Sequence, residues 1–441
     1  MLKSTFIFIF SLFLLADTYA MTFDEVWKLA SKDNPGIQAA IHSYKAQLEQ
    51  TKQARAGLLP SITFDASMMK NSSNAVFTNK SAVETKYSEN YDSSVYTLKF
   101  IQPVFRAESL LAYEEAKKYP KIGKILLRKT YEELFGAVLE AFVNVLFNKE
   151  YLNVTISKKN SIVEQMNDLE KRFELGDATV TDLTEAKARY DLVLAEEIAV
   201  NNAYALSKKL LAIIANLSES EIDADDFAAD FLADIELNSL DYWISKARKE
   251  NVDIVYKKAE LAISEIILRK EKSKNLPTVD FTASYTNSDS NGDTNGVAED
   301  SEVTSFGLNF RLPLIQGGGT VAGVREKAEL KFKTIYELQQ VSLDVTSTIS
   351  NIYSNLLSTH ARINAFQMAI ESAKLAVIAN EKGFAIGTRT NVDLLDAKEQ
   401  YYKIRKDYYQ TKLNYILSYY GLLTASGRLA ELGIIQEGGN R

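Results

Sequence analysis

The sequence predicts a mixed fold: long α-helices joined to a membrane β-sheet, built as a tandem repeat whose strands close into a barrel only when several copies assemble. Three observations predict it. The stretch RFELGDATVTDLTEAKARYD, Arg172 to Asp191, aligns without a gap on GFAIGTRTNVDLLDAKEQYY, Gly383 to Tyr402. Four stretches of alternating apolar and polar residues lie at matched places in the two halves. Prolines match as well, Pro60 with Pro277 and Pro103 with Pro313. A shared spacing of this kind marks an internal duplication.

Within the repeated stretch Phe173 matches Phe384, Gly176 matches Gly387, and Thr179 matches Thr390. Asp182-Leu183 matches Asp393-Leu394, and Ala186-Lys187 matches Ala397-Lys398. A Gly followed by Thr and Asp between two helical patterns reads as the tip of a helical hairpin. Each half therefore carries one long hairpin.

Taken in order, residues 1–20 read as a secretory signal: Lys3, an apolar run from Phe6 to Leu15, and a small-x-Ala site at Thr18-Tyr19-Ala20. No later run of eighteen apolar residues follows, so the expected product is exported and has no membrane-spanning helix. Residues 21–60 read as a helix interrupted at Asn34-Pro35 and stopped by Leu59-Pro60. Residues 61–104 hold two strands. Ile62, Phe64, Ala66 and Met68 alternate with Thr63, Asp65 and Ser67, and Tyr96, Leu98 and Phe100 alternate with Thr97 and Lys99. The polar stretch Asn71 to Asn90 between them reads as a long loop.

Residues 105–215 read as a long helical hairpin with its tip near Gly176, whose first arm would reach roughly 100 Å at 1.5 Å per residue. Pro120 should kink or break that arm. Residues 216–238 look like an acidic insertion, and 239–276 like one more helix. Residues 277–314 repeat the strand pair, with Val279, Phe281, Ala283 and Tyr285 against Asp280, Thr282 and Ser284, then Phe306, Leu308, Phe310 and Leu312 against Gly307, Asn309 and Arg311. The stretch Asn287 to Asp300 reads as their loop. Residues 315–427 give the second hairpin, and 428–441 a tail. The last helix has a heptad seam through Leu394, Tyr401, Tyr408, Tyr415 and Leu422.

Four strands cannot close a barrel, since the smallest have about eight, so the expectation is an oligomer. The apolar strand faces would meet lipid, and the polar faces, with Asp65, Lys99, Asp280 and Arg311, would line a lumen. Composition narrows function further. The 441-residue chain carries a net charge of −7, which gives no general attraction to nucleic acid. It has no cysteine, hence no disulfide, thiol nucleophile or cysteine–metal site, and only two histidines, His42 and His360, far apart. Gly317-Gly-Gly-Thr-Val-Ala322 fits a dinucleotide fingerprint on paper, but the helix after it is too long and no second strand returns. No nucleophile-elbow, P-loop or zinc-protease motif is present, so catalysis, a metal and a cofactor are not expected.

GTRTNVDLLDA at Gly387 to Ala397, together with Asn34-Pro35, the Leu-Pro before each first strand and Leu314-Ile-Gln-Gly-Gly318, resembles the TolC family of outer-membrane efflux channels over nearly the whole chain. The resemblance implies a homotrimer with a twelve-stranded barrel in outer-membrane lipid and a long periplasmic α-helical coiled-coil tunnel. It implies an exit channel for tripartite efflux or type I secretion, closed at rest. The partners implied are a periplasmic adaptor and an inner-membrane transporter of RND, ABC or MFS type. It also assigns residues. Asp393 and Asp396 fall on the family's paired aspartate rings, and we expect Glu185, the repeat partner of Asp396, to enlarge that acidic pore gate. Arg389 falls on the tip arginine, with Thr181 and Asp182 on its partners. Phe384 stands where the family's latch has a tyrosine, so one closing contact is lost. Leu175, Gly176, Asp182, Leu183, Ile386, Gly387, Asp393 and Leu394 are the expected adaptor-docking positions. The residues themselves offer a plainer role for the aspartates: Thr179-x-x-Asp182 and Thr390-x-x-Asp393 both fit a capping box. The rival reading of the whole chain is an exported coiled-coil adhesin or scaffold without a pore.

Overall fold

The structure is a computed structural model that describes residues 22–32, 34–78, 84–216, 237–293 and 297–429. The signal at 1–20, nearly all of the 216–238 insertion and the tail beyond Leu429 lie outside the described residues. The elements in order are α1 (Phe23–Lys32), α2 (Pro35–Ala56), β1 (Ser61–Thr78), β2 (Glu84–Arg106), α3 (Ala107–Ala116), α4 (Tyr119–Glu174) and α5 (Val180–Ala215). Then come α6 (Leu240–Glu250), α7 (Val252–Ser273), β3 (Thr278–Ser290), β4 (Glu299–Arg311), α8 (Gly319–Ala385) and α9 (Asn391–Ser426). Among the described residues no helix is long and apolar enough to cross a membrane.

The chain divides into two compact units. The first takes in residues 1–39, 128–251 and 344–441. Its core is aromatic and aliphatic: Phe23, Val26 and Trp27 of α1 pack with Phe135, Val138, Leu139 and Phe142 of α4, Leu211 of α5, Trp243 of α6, Ile349 and Leu356 of α8, and Ile416 and Leu423 of α9. The Phe135 ring is the hub. Its centroid lies 5.3 Å from that of Phe23 and 5.2 Å from that of Trp27, both edge-on, the geometry that the ring quadrupoles favour.

The second unit, residues 40–127 and 252–343, holds the sheet and the helices that flank it in sequence. Here α3 packs on α7, with Arg269 2.6 Å from Glu114 and Lys270 paired with Glu115. The first arm of the hairpin does break ahead of Pro120, which sits in the first turn of α4. Proline has no N–H to offer the carbonyl four residues back, that of Ala116. The Thr51 hydroxyl of α2 donates to this carbonyl instead, at 3.0 Å.

The sheet has the order β1-β2-β3-β4, antiparallel throughout. Its register stacks like with like. Ile62 faces Phe100, Phe64 faces Leu98, Phe281 faces Leu308 and Ala283 faces Phe306, giving one apolar face. Phe306 is 81% exposed on that face and Met68 75%, a surface suited to lipid. Thr63 faces Lys99, Lys99 faces Ser284, and Asp280 faces Asn309 on the polar face.

Three sequence expectations need correction. The stretch from Asn71 to Asn90 is not a loop: apart from residues 79–83, which lie outside the described residues, it is strand, and β1 pairs β2 out to Thr78 and Glu84. Polar residues occupy most of both faces there, and cross-strand bonds such as Asn71 Nδ2 to Ser93 Oγ (2.9 Å) and Ser88 Oγ to Asn74 Oδ1 (2.6 Å) stand in for apolar pairing. β3 likewise runs on to Ser290, and β2 continues past Pro103 to Arg106 through a bulge that accommodates the proline. Last, residues 239–276 form two helices. Asn251 between them is extended, and its side chain donates to the Ala425 carbonyl at 2.9 Å.

Candidate functional site

The two tips are built by one local rule applied twice. After α4, Gly176 takes φ +81, its N–H bonds the Phe173 carbonyl at 3.1 Å, and the Asp177 N–H bonds that of Arg172 at 2.7 Å. After α8, Gly387 takes φ +76, with Gly387 to Phe384 at 3.1 Å and Thr388 to Gly383 at 2.8 Å. Both are Schellman turns, and only a residue without Cβ takes this backbone cheaply. The turn pushes the preceding apolar side chain outward: Leu175 is 78% exposed and Ile386 76%. Leu183 is half-buried and Leu394 fully buried, so of the expected docking positions these two lie deeper than the turn residues.

Both capping boxes form. Thr179 Oγ1 accepts from the Asp182 N–H at 3.1 Å, and Asp182 Oδ2 accepts from the Thr179 N–H at 3.1 Å. Thr390 and Asp393 repeat this at 3.2 and 2.9 Å. The Thr390 N–H and then the Thr390 hydroxyl hold the Asp393 carboxyl below the usual carboxylate range, with Arg389 adding to the effect. Asp393 and Asp396, three residues apart, are thus engaged differently. Asp393 closes its own helix start, whereas Asp396 Oδ1 takes a bond from Arg189 of α5 at 2.7 Å. The other arm of the same guanidinium reaches Glu399 Oε2 at 2.6 Å. Glu185 is half-buried on α5.

The latch residues are placed as follows. Arg389 is exposed, its N–H bonding the Gly383 carbonyl at 3.2 Å, and among the described residues its side chain makes no bond to Thr181 or Asp182 of its own protomer. Asp182 is tied through its main chain: the Asn391 side chain donates to its carbonyl at 3.2 Å in a half-buried contact and accepts from Gln165 at 3.2 Å in a buried one. Phe384, which has no hydroxyl to share, receives the Arg172 guanidinium 4.9 Å from its ring centroid.

Higher up, Tyr151 of α4 donates to Glu196 of α5 at 2.8 Å, and Lys158 reaches Glu196 at 3.1 Å. Burial, then the bond to Glu196, pushes the Tyr151 phenol to about 12. Tyr402 of α9 donates to the Ser157 carbonyl at 3.1 Å. Sequence reasoning missed Arg189, Asn391, Gln165 and Arg172. The one available signal was that Arg189 and Asn391 break the repeat, standing opposite Gln400 and Val180.

On the sheet, the register places Asp65, Lys99, Asp280 and Arg311 on the polar face together. Asp280 is not a free charge: Arg106, which sequence reasoning did not single out, grips both its oxygens at 2.7 Å.

A four-stranded antiparallel sheet with one apolar and one polar face, in a chain that also holds two long helical hairpins with capped tips, defines the protomer of a barrel-and-helix channel. The chain belongs to the outer membrane efflux protein family, whose model matches residues 26–216 and 243–428. It is 26% identical over 423 residues to the alkaline protease secretion protein AprF of Pseudomonas aeruginosa, covering 96% of this chain and 88% of that one. It is 27% identical over 424 residues to the outer membrane protein TolC of Escherichia coli, covering 93% and 83%. Among solved structures, CusC superposes with a TM-score of 0.81 at 13% identity (92% of each chain), and VceC of Vibrio cholerae with 0.75 at 17% (92% and 96%). The protein is therefore an outer-membrane exit channel with the TolC-type fold, its helical part extending into the periplasm. Channels of this family, which are not enzymes, are trimeric and work with an adaptor and an inner-membrane transporter. A pore-free scaffold is set aside.

Proposed function

We propose that three copies close a twelve-stranded barrel whose lumen carries Asp65, Lys99 and Arg311, with the Arg106–Asp280 pair between them, and that the tunnel below is gated at its tips. In this reading Asp393, Asp396 and Glu185 form the acidic mouth. Arg389 reaches Thr181 and Asp182 of a neighbouring coil, and Phe384 leaves that latch one hydrogen bond short. Leu175, Gly176, Leu183, Ile386 and Gly387, with the two capping aspartates, receive the periplasmic adaptor, while the buried Leu394 lies behind them. The transporter behind it is of RND, ABC or MFS type. The names of two relatives, AprF and the proteases secretion protein PrtF of Dickeya chrysanthemi, favour a duct wide enough for polypeptide, as an ABC-type secretion system needs.

The observation that supports docking is the twin pair of Schellman turns, each holding a large apolar side chain out into water at a rigid, capped helix end. Since the chain has no cysteine, single substitutions give unique labels. Leu175→Cys and Ile386→Cys, carrying a photoactivatable maleimide in intact cells, should each yield a covalent adduct with a periplasmic adaptor. Glu329→Cys, exposed on α8 far along the helix, should not. Adducts of equal yield from all three positions would count against tip docking.

A further inference from the structure

We propose that Arg189 is the selectivity-determining residue of the tip: a built-in counter-cation that offsets the charge of Asp396 and fixes its position, while Asp393 and Glu185 lie outside this clamp. The inference rests on the reading of Asp393 and Asp396 as mouth-lining residues. Its own support is geometric. Arg189 uses two guanidinium nitrogens on two different carboxylates, Asp396 at 2.7 Å and Glu399 at 2.6 Å, which are successive turns of one helix face. The arginine comes from the first hairpin and the acids from the second, so the contact both cancels charge and joins the hairpins of one protomer. Its side chain is 28% exposed, against 60% for Asp396, so the guanidinium is seated on the protein while the carboxylate reaches out. Lys158 stands behind Glu399 at 3.9 Å and binds Glu196 at 3.1 Å, so a second cation of the first hairpin faces the same acids.

The repeat shows that the arrangement is specific to one side. Asp396 matches Glu185, Glu399 matches Ala188, and Arg189 matches Gln400. The second hairpin therefore offers no cation to Glu185 in the way the first offers one to Asp396. Asp393 is likewise outside the clamp, its carboxylate being held by its own helix start. In a trimer each Arg189 would offset one of the two carboxylates it bridges, so the aspartate count alone overstates the attraction of the ring for cations.

The test is reversal potential in planar bilayers under a KCl gradient, with purified trimer. Arg189→Gln should raise the cation-to-anion permeability ratio roughly threefold or more, because it uncovers three like charges around one opening. Arg189→Lys keeps the charge but cannot fork, and should hold the ratio near that of the native channel. Asp396→Asn removes one negative charge and leaves the arginine to Glu399 alone, and should lower the ratio. Arg189→Gln/Asp396→Asn, which removes one charge of each sign, should bring it back. An unchanged ratio in Arg189→Gln while Asp396→Asn lowers it would overturn the role of Arg189 and leave the acidic mouth standing. An unchanged ratio in Arg189→Gln and in Asp393→Asn/Asp396→Asn would overturn both. For any variant that carries no current, terbium(III) luminescence on the detergent-solubilised trimer reads the same ranking: tighter binding in Arg189→Gln supports the clamp, and equal binding refutes it.

Discussion

Replacing Gly427 by alanine should be among the most damaging single-methyl changes in the protein, and the tip glycine Gly387 gives the control. Gly427 caps α9 with φ +79, and a Cβ built there would lie 2.4 Å from both the carbonyl carbon and the oxygen of Glu250 and 2.8 Å from the Asn251 nitrogen. These are backbone atoms at the α6–α7 break, already held by the Asn251 bond to the Ala425 carbonyl, so they cannot swing aside. The left-handed backbone alone costs a residue with Cβ about 1–2 kcal/mol. Forcing a methyl into packed backbone adds about 1–3 kcal/mol, for a total of about 2–5 kcal/mol. Gly387 has nearly the same backbone, φ +76, but nothing within 4 Å of its Cβ position, so Gly387→Ala should cost only the first part, about 1–2 kcal/mol. The assay is amide hydrogen exchange of the folded trimer, in which each 1.4 kcal/mol of lost local stability speeds exchange about tenfold. Exchange near Asn251 and Ser426 in Gly427→Ala should rise well beyond that near Thr388 in Gly387→Ala. Equal or smaller acceleration in Gly427→Ala would refute the argument from close approach.

Three further outcomes follow from the packing. Phe135→Ala removes the ring on which Phe23 and Trp27 converge and should cost about 3–5 kcal/mol, read as a lower midpoint for heat-induced loss of the trimer. Thr51→Val keeps shape but leaves the Ala116 carbonyl without its donor. It should cost about 1–2 kcal/mol and speed exchange at the start of α4, whereas Thr51→Ser should be close to neutral. The cap at Asp393 sets a pH dependence. Its carboxyl titrates below the ordinary value, so its stabilisation is complete above the unfolded pKa of about 3.9 and is lost as pH falls through the lower folded value. Protection of the α9 start, corrected for intrinsic rates, should therefore stay level from neutral pH down to about 5 and collapse only below about 4. Asp393→Asn should weaken it already at neutral pH. A decline beginning near pH 6 would point to another group.

The fold was legible where sequence carries a period or a punctuation mark. Alternation located the four strands, and Pro60, Pro277 and Pro313 bounded the sheet segments, whereas Pro103 sits inside β2 at its bulge. Gly176 and Gly387 with their following Thr-x-x-Asp marked the tips, because the cap residues are consecutive in sequence. The polar reach of the β1–β2 hairpin was not legible, since Asn, Ser, Glu and Lys on both faces erase the apolar alternation on which strand reading depends. Nor was the Asn251 break, which has no proline or glycine to announce it and is supported by a carbonyl 174 positions away. The site divided in the same way. Thr390 and Asp393 find each other locally, whereas Arg189 and Asp396 meet only because the two hairpins lie side by side. Arg106 and Asp280 meet only because β2 pairs β3.

A duplicated chain shows where one half has been given a task that the other lacks. Turn glycines, cap threonines and cap aspartates are the same in both tips and do the same local work, ending one helix and starting the next. Residues that differ between the halves make the contacts that cross from one hairpin to the other. Asn391 stands opposite Val180 and binds the Asp182 carbonyl. Arg189 stands opposite Gln400 and binds Asp396 and Glu399. Both crossing contacts place a new polar group on one hairpin and use an acceptor on the other, so neither can be satisfied by a hairpin alone. The symmetric caps are local and make no bond from one hairpin to the other. These one-sided contacts tie the two hairpins of the protomer to each other at the tip. Loss of either contact should therefore loosen one hairpin against the other while the caps at Gly176 and Gly387 stay intact. Amide exchange would show that as faster opening along the facing sides of α5 and α9, with unchanged protection at the turns themselves. Equal loosening at turns and facing sides would mean that the crossing contacts only support the hairpins and do not couple them.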